Sequence, residues 1–267
     1  MRFGLYLKGG GAKGAFQAGL LCSLWQRGVT YSVIAGTSIG AVNGWYVLHN
    51  AYKELEELYL NLNEQDANKK LSGKFIDNSF LIDKLRPISG TQDPRIDAFY
   101  INYCQGIQGK LVEKIENIKG KDPEYALERI SWSSQLPYNS AEMTVQQFVD
   151  SFDAQKLEEQ FNGDVQGHVY DGLNLDGGML NNILIRNVFS HPGERIICIG
   201  YNGTREEYLE NLSDLAVSER ERIIYIASDQ PFDVTDTYNF TPEFLKARFK
   251  EGYKKGMDFP VLQLTSR

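Results

Sequence analysis

The sequence predicts an α/β fold whose mainly parallel central sheet is covered by helices on both faces. Three observations predict it. Two short, uniformly apolar runs, Phe3 to Leu7 and Tyr31 to Ala35, read as strands buried on both sides, the mark of parallel sheets under helices. Each is followed by a glycine-bearing loop and then by an apolar helical stretch. The same signature returns late in the chain, at Gly167 to Leu175, Arg195 to Gly200 and Arg222 to Ala227.

In order along the chain, Phe3 to Leu7 is the first strand, Gly9 to Gly14 a loop, and Ala15 to Gln26 a helix closed by Gly28. Tyr31 to Ala35 is the second strand. From Ser38 to Leu48 small and large apolar residues alternate, as in a helix laid on a sheet. Residues 51 to about 150 read differently: a Glu-rich helix from Tyr52 to Leu62, a polar run from Asn63 to Lys70, and little β pattern. A helical insertion or cap is expected there, within one domain spanning 1–267. The stretch from Pro242 to Met257 reads as a closing amphipathic helix.

Composition narrows the function. The chain has 267 residues, 42% hydrophobic and 24% charged, with a formal charge of −7. That sign argues against non-specific nucleic-acid binding and against anchoring to anionic lipid through a basic patch. A lipid substrate would have to be reached through apolar contacts. No apolar stretch approaches the roughly 18 residues that span a bilayer, and no signal peptide is expected at the N-terminus. Cys22, Cys104 and Cys198 lie far apart without a CxxC, which fits a reducing, cytoplasmic setting and neither disulfides nor zinc. No cofactor or metal is expected.

Lys8-Gly9-Gly10-Gly11-Ala12-Lys13-Gly14 follows a strand and opens a helix, so its backbone N–H groups converge at the positive end of a helix dipole, where an anion or oxyanion belongs. Gly9, Gly11 and Gly14 also satisfy G-x-G-x-x-G, which raises a nucleotide-binding alternative. Against it, the second strand ends in Gly36-Thr37-Ser38 without the ribose-binding acid. Lys13 is followed by Gly14, so the loop is no Walker A motif either.

Gly36-Thr37-Ser38-Ile39-Gly40 matches G-x-S-x-G at a predicted strand end and helix start, the setting of a nucleophile elbow. Ser38 would sit at the first turn of a helix, with the Ile39 N–H able to donate to an oxyanion. For the base, two readings stay open. His191, in Ser190-His191-Pro192-Gly193, would complete a Ser38, Asp176, His191 triad in α/β-hydrolase order; His49 and His168 are less well placed. Alternatively Asp176 itself accepts the proton, with Gly177 and Gly178 letting its carboxylate approach the elbow. Asp171-Gly172 is a competing site of the same kind.

Taken together, G-G-G-x-K-G after a strand, G-T-S-I-G after the next and a distant D-G-G resemble the patatin-like phospholipase family, strongly over the first fifty residues and more loosely over Val169 to Ile199. The stretch Phe249 to Gly256 is similar to the terminal helix of its bacterial members. The resemblance implies a three-layer α/β/α fold, with Gly9, Gly10 and Gly11 as oxyanion hole and Ser38 and Asp176 as a catalytic dyad. It implies hydrolysis of lipid esters, of the phospholipase A or lysophospholipase type, at a membrane surface the enzyme touches peripherally. A regulated membrane-attacking effector that needs an activator is the alternative within the same fold. Departures are Asn181-Asn182-Ile183, with Ile183 in place of the proline that usually follows an Asn after D-G-G, and a small-residue and proline segment, Ser133 to Pro137, lying unusually far upstream of Asp176.

Overall fold

The computed structural model describes residues 2–62, 70–191 and 195–260. Strand β1 (Arg2–Leu7) leads through a glycine turn into helix α1 (Gly14–Gln26), and β2 (Thr30–Thr37) leads through Ser38 into α2 (Ile39–Leu48) and on to α3 (Tyr52–Leu60). Then come β3 (Lys70–Phe75), α4 (Ser79–Leu85), β4 (Ala98–Ile107), β5 (Lys110–Asn117), α5 (Pro123–Ser133), β6 (Pro137–Thr144), α6 (Val145–Asp150) and α7 (Ala154–Gln166). The remainder is β7 (Asn174–Asp176), α8 (Ile185–Phe189), β8 (Ile196–Ile199), α9 (Arg205–Glu210), α10 (Val217–Glu221), β9 (Ile223–Ile226) and α11 (Pro242–Asp258).

The main sheet runs β5-β4-β2-β1-β8-β9, with β7 also paired to β4. Every pair from β4 to β9 along that path is parallel, while β5 and β7 lie antiparallel to β4. Alternation along the central strands divides the core into two layers. Leu5, Leu7 and Ile34 pack with α1, α2, α3 and α11, whereas Tyr6, Val33 and Ala35 pack with Leu184, Ile185 and Val188 of the α8 region. The expected α/β fold, a mainly parallel sheet between helical layers, is the observed one.

Local signals explain several elements. Pro123 opens α5 behind Asp122, whose side chain accepts the Tyr125 N–H, and a Thr144–Gln147 capping box opens α6. Helix α11 lies against α1 through glycines. A Cβ on Gly19 would fall 2.0 Å from the Phe249 carbonyl oxygen, and one on Gly252 2.0 Å from that of Phe16. The Phe249 to Gly256 stretch thus serves close helix contact.

Two expectations about the middle of the chain are corrected. Residues 51–150 carry helices, but also β4 and β5, which belong to the main sheet, and the separate β3–β6 pair. In β4 the pattern is missed because this strand is buried by sheet neighbours on both edges and mixes Tyr, Asn and Gln with its aliphatic residues. Gly167 to Leu175 is mostly turn, with a strand only from Asn174, and that strand runs antiparallel to β4. The polar run from Asn63 and the Pro192-Gly193 pair fall outside the described residues.

Candidate active site

Ser38 stands at the junction of β2 and α2 with φ 56° and ψ −125°, a backbone conformation that side-chain-bearing residues rarely adopt. The residues two positions to either side of it must be glycine. A Cβ on Gly36 would lie 2.5 Å from the Gly40 carbonyl oxygen, and one on Gly40 2.2 Å from that of Leu7. The Ser38 carbonyl accepts the Ala41 and Val42 N–H groups and so starts the helix. Its own N–H donates to the Ser133 hydroxyl oxygen at 3.0 Å.

Strand β4 brings the second residue in. Thr37 is registered with Asn102, and Asp176 with Tyr103, the next residue of the same strand. The two chemistry-bearing side chains, remote in sequence, therefore meet over one edge of β4. Gly177 permits the crossing, since a Cβ there would fall 2.4 Å from Asn102 Oδ1. Asn102 is wholly buried and ties the floor together: it accepts the Thr37 hydroxyl and donates to Glu113 Oε1 and the Asn181 carbonyl.

Asp176 is 2% exposed and Ser38 5%. Asp176 Oδ1 accepts the Gly178 N–H at 2.7 Å, and its backbone N–H donates to the Gln135 carbonyl at 2.9 Å. Oδ2 is buried and receives no hydrogen bond of ordinary geometry. Burial pushes the carboxyl up from 3.8 to about 7, opposed first by hydrogen bonding with the Ser38 side chain and then by the Gly178 N–H. A carboxylate raised so far is a much stronger base than a free aspartate.

The glycine loop lies directly over Ser38. A Cβ on Gly9 would be 3.0 Å from Ser38 Cβ, and one on Gly10 2.5 Å from the Tyr201 ring. Gly11 has φ 55° and faces the Thr237 carbonyl. The Lys8 carbonyl accepts from Gln17 Nε2 and the Tyr201 hydroxyl. One expectation changes here: the Gly9 N–H is not free, because it donates to Asn182 Oδ1 at 2.8 Å. Among the described residues, no acceptor takes the N–H of Gly10, Gly11 or Ile39. Gly14 serves packing, since a Cβ there would meet Ile39 at 2.4 Å. Lys13 is half-buried; burial lowers its pKa, and Asp236 and Asp233 oppose that shift.

The histidines lie elsewhere. His49 caps α2 with its ring against Trp45. His168 pairs with Asp171 at 2.7 Å on the surface, which also removes Asp171 from the site. The His191 carbonyl accepts from Arg222, next to the first residue of β9, whereas Ser38 follows the last residue of β2. In a parallel sheet those are opposite ends, so the Ser38–Asp176–His191 triad is not assembled.

Beside Gly178 and Met179 opens a cleft of about 400 Å³, with Tyr138, Phe152, Leu157 and Tyr238 among its walls. Its walls come largely from beyond residue 150, from α7 and the Val234–Tyr238 segment. Tyr238 stands close enough to Asp176 for that carboxylate to contribute, after burial, to raising its phenol to about 12. The sequence alone does not single out Asn102, and it presents Asn182 and Ser133 only within motif stretches, without a role of their own. For Ser133 and Gln135 a signal existed: both belong to the small-residue and proline stretch before Pro137.

The profile of the patatin-like phospholipase family matches residues 5–189. No curated protein matches the sequence significantly. Solved structures similar to it include VipD from Legionella pneumophila, 13% identical with a TM-score of 0.49 over 98% of this chain and 66% of that one. The heterodimeric ExoU–SpcU complex from the type III secretion system of Pseudomonas aeruginosa is 15% identical with a TM-score of 0.38 over 97% of this chain and 52% of the matched one. This chain thus spans about two thirds of the VipD chain and about half of the chain matched in the complex.

Proposed function

Because this chain belongs to the patatin-like phospholipase family, we propose that it is a serine lipid acyl hydrolase, of the phospholipase A or lysophospholipase type, working through a Ser38–Asp176 dyad. The observation that carries this reading is a serine on a strained strand-to-helix turn facing a buried carboxyl raised to about 7. As Ser38 Oγ attacks the ester carbonyl carbon, Asp176 takes the hydroxyl proton. The carbonyl oxygen becomes an oxyanion within reach of the Gly10, Gly11 and Ile39 N–H groups, aided by the positive end of α2. Collapse breaks the bond to the alcohol, which leaves with the proton from Asp176. Water then gives a proton to Asp176 and its oxygen to the acyl carbon; collapse releases the fatty acid and returns the proton to Ser38.

The cleft beside Gly178 supports a fatty acyl chain as the group bound. Val234 lines it and is 55% exposed, and nearby Leu180 is 52% exposed. Such residues fit peripheral contact with a lipid surface by apolar insertion, the route left open by a net charge of −7. Among the described residues no helix is long and apolar enough to cross a membrane. The three buried, unpaired cysteines fit the cytoplasmic reading.

The test is lipid-product mass spectrometry of the purified protein beside Ser38→Ala and Asp176→Asn, with phospholipid and lysophospholipid vesicles. Fatty acid release by the wild type alone is the expected result. Equal release by Ser38→Ala overturns the dyad, and silence toward every ester until a protein activator is added moves the reading to the regulated effector.

A further inference from the structure

We propose that Asn182 is a positioning residue that holds the glycine loop in register over Ser38, so that Gly10 and Gly11, and not Gly9, present their N–H groups to the oxyanion. The inference rests on the hydrolase reading above and adds to it a residue outside the glycine loop and the dyad.

The carboxamide of Asn182 hydrogen-bonds one residue through both its oxygen and its nitrogen. Its Oδ1 accepts the Gly9 N–H at 2.8 Å, and its Nδ2 donates to the Gly9 carbonyl at 3.3 Å. A side chain thereby imitates the edge of a neighbouring strand just where β1 has ended and ladder pairing is no longer available. The residue before Gly9 is held as well, since the Lys8 carbonyl accepts from Gln17 and Tyr201. Asn182 is itself held, because the Tyr6 hydroxyl donates to its backbone carbonyl and the preceding Asn181 carbonyl accepts from Asn102.

Position gives this clamp its consequence. The Gly9 site borders Ser38, Thr37 and Asn182 together, and the Gly178 site borders both Asp176 Oδ1 and Asn182. Asn182 therefore links the arm that carries the carboxylate to the loop that faces the oxyanion. With the Gly9 N–H engaged, the next two N–H groups of the loop are the ones without an acceptor among the described residues. Their aim depends on how firmly the peptide before them is fixed. Donors of this kind act through preorganisation, so a loosened clamp costs rate in the transition state and leaves substrate binding almost unchanged.

The experiment measures kcat and KM for a p-nitrophenyl ester, and the rate of Ser38 labelling by an alkyl fluorophosphonate, in wild type, Asn182→Ala, Asn182→Asp and Tyr6→Phe, with each Tm recorded. For Asn182→Ala, kcat and labelling rate should fall about 10- to 100-fold with KM almost unchanged, the scale expected of a small displacement of catalytic groups. Asn182→Asp keeps the acceptor, loses the donor and adds a carboxylate near Asp176, so the rising limb of its pH–rate profile should move to higher pH. Should Asn182→Ala fail to fold, Tyr6→Phe, which removes only the hydroxyl that holds Asn182, should lower kcat to a smaller extent at constant KM. A folded Asn182→Ala with wild-type kcat and labelling, or a loss confined to KM, overturns the inference. A wild type that neither hydrolyses the ester nor is labelled at Ser38 instead overturns the hydrolase reading beneath it.

Discussion

The backbone N–H of Ser38 donates to the hydroxyl of Ser133, a fully buried residue at the end of α5. The strained elbow therefore depends on a helix from the middle of the chain. Replacing Ser133 with Ala leaves a buried N–H unpaired, at a cost of about 1–3 kcal/mol, and lets the turn relax from the conformation that presents the hydroxyl. Ser133→Ala should lower both the denaturant midpoint and kcat. Unchanged stability and kcat would show that the contact has no such role.

Asp176 should give the enzyme a pH dependence centred near neutrality. The carboxyl must be ionised to accept the Ser38 proton, so kcat/KM should rise through about pH 7, where burial has placed it. Stability should move the opposite way. The folded-state value lies above the unfolded 3.8, so between them the native state binds more protons and loses stability as pH rises. This penalty is absent below the unfolded value and complete above about pH 7, reaching up to ~4 kcal/mol. Asp176→Asn removes it, so its stability relative to wild type should increase from pH 5 to pH 8 while activity is lost. Urea denaturation at the two pH values measures the difference, and a constant gap would exclude a buried, charge-bearing Asp176.

His191→Ala should keep wild-type ester hydrolysis. Its carbonyl binds Arg222 near the start of β9, and its ring lies against Tyr100, whereas the elbow is at the opposite ends of the parallel strands. A steady-state assay decides this directly. A loss of kcat approaching that of Ser38→Ala would restore the triad.

What the sequence revealed and what it hid have physical causes. The elbow and the glycine loop were legible because sterics confine them to glycine: side chains at Gly36 and Gly40 would strike the Gly40 and Leu7 carbonyls. The central strands were legible because burial on both faces leaves them uniformly apolar. Strand β4 was not, since it mixes Asn102, Tyr103 and Gln105 with aliphatic residues, and its place between β5 on one edge and β2 with β7 on the other is set by pairing. Asp176 could be ranked over Asp171 by its second glycine, but not over a turn aspartate in general. Its burial and its approach to Ser38 come from the register with Tyr103. Asn182 was legible as part of Asn181-Asn182-Ile183 after D-G-G, but its role was not, because an asparagine there reads as loop until its partner, Gly9, is known.

The glycines separate the steric demands of the elbow from ordinary helix propensity. A Cβ on Gly40 would sit 2.2 Å from the Leu7 carbonyl oxygen, which belongs to the last residue of β1 and cannot turn aside as a flexible side chain can. Gly40→Ala must push α2 away from the sheet, at about 1–3 kcal/mol, and carry Ser38 with it, so both the Tm and kcat should fall. Gly163, exposed within α7, has no atom within 4 Å of the added Cβ and no positive φ. Gly163→Ala should therefore raise stability by about 0.5–1 kcal/mol through helix propensity alone and leave kcat unchanged. Thermal melts and ester kinetics on the two variants form the test. If Gly40→Ala were as well tolerated as Gly163→Ala, the close packing of α2 on β1 would not be what holds Ser38 in place.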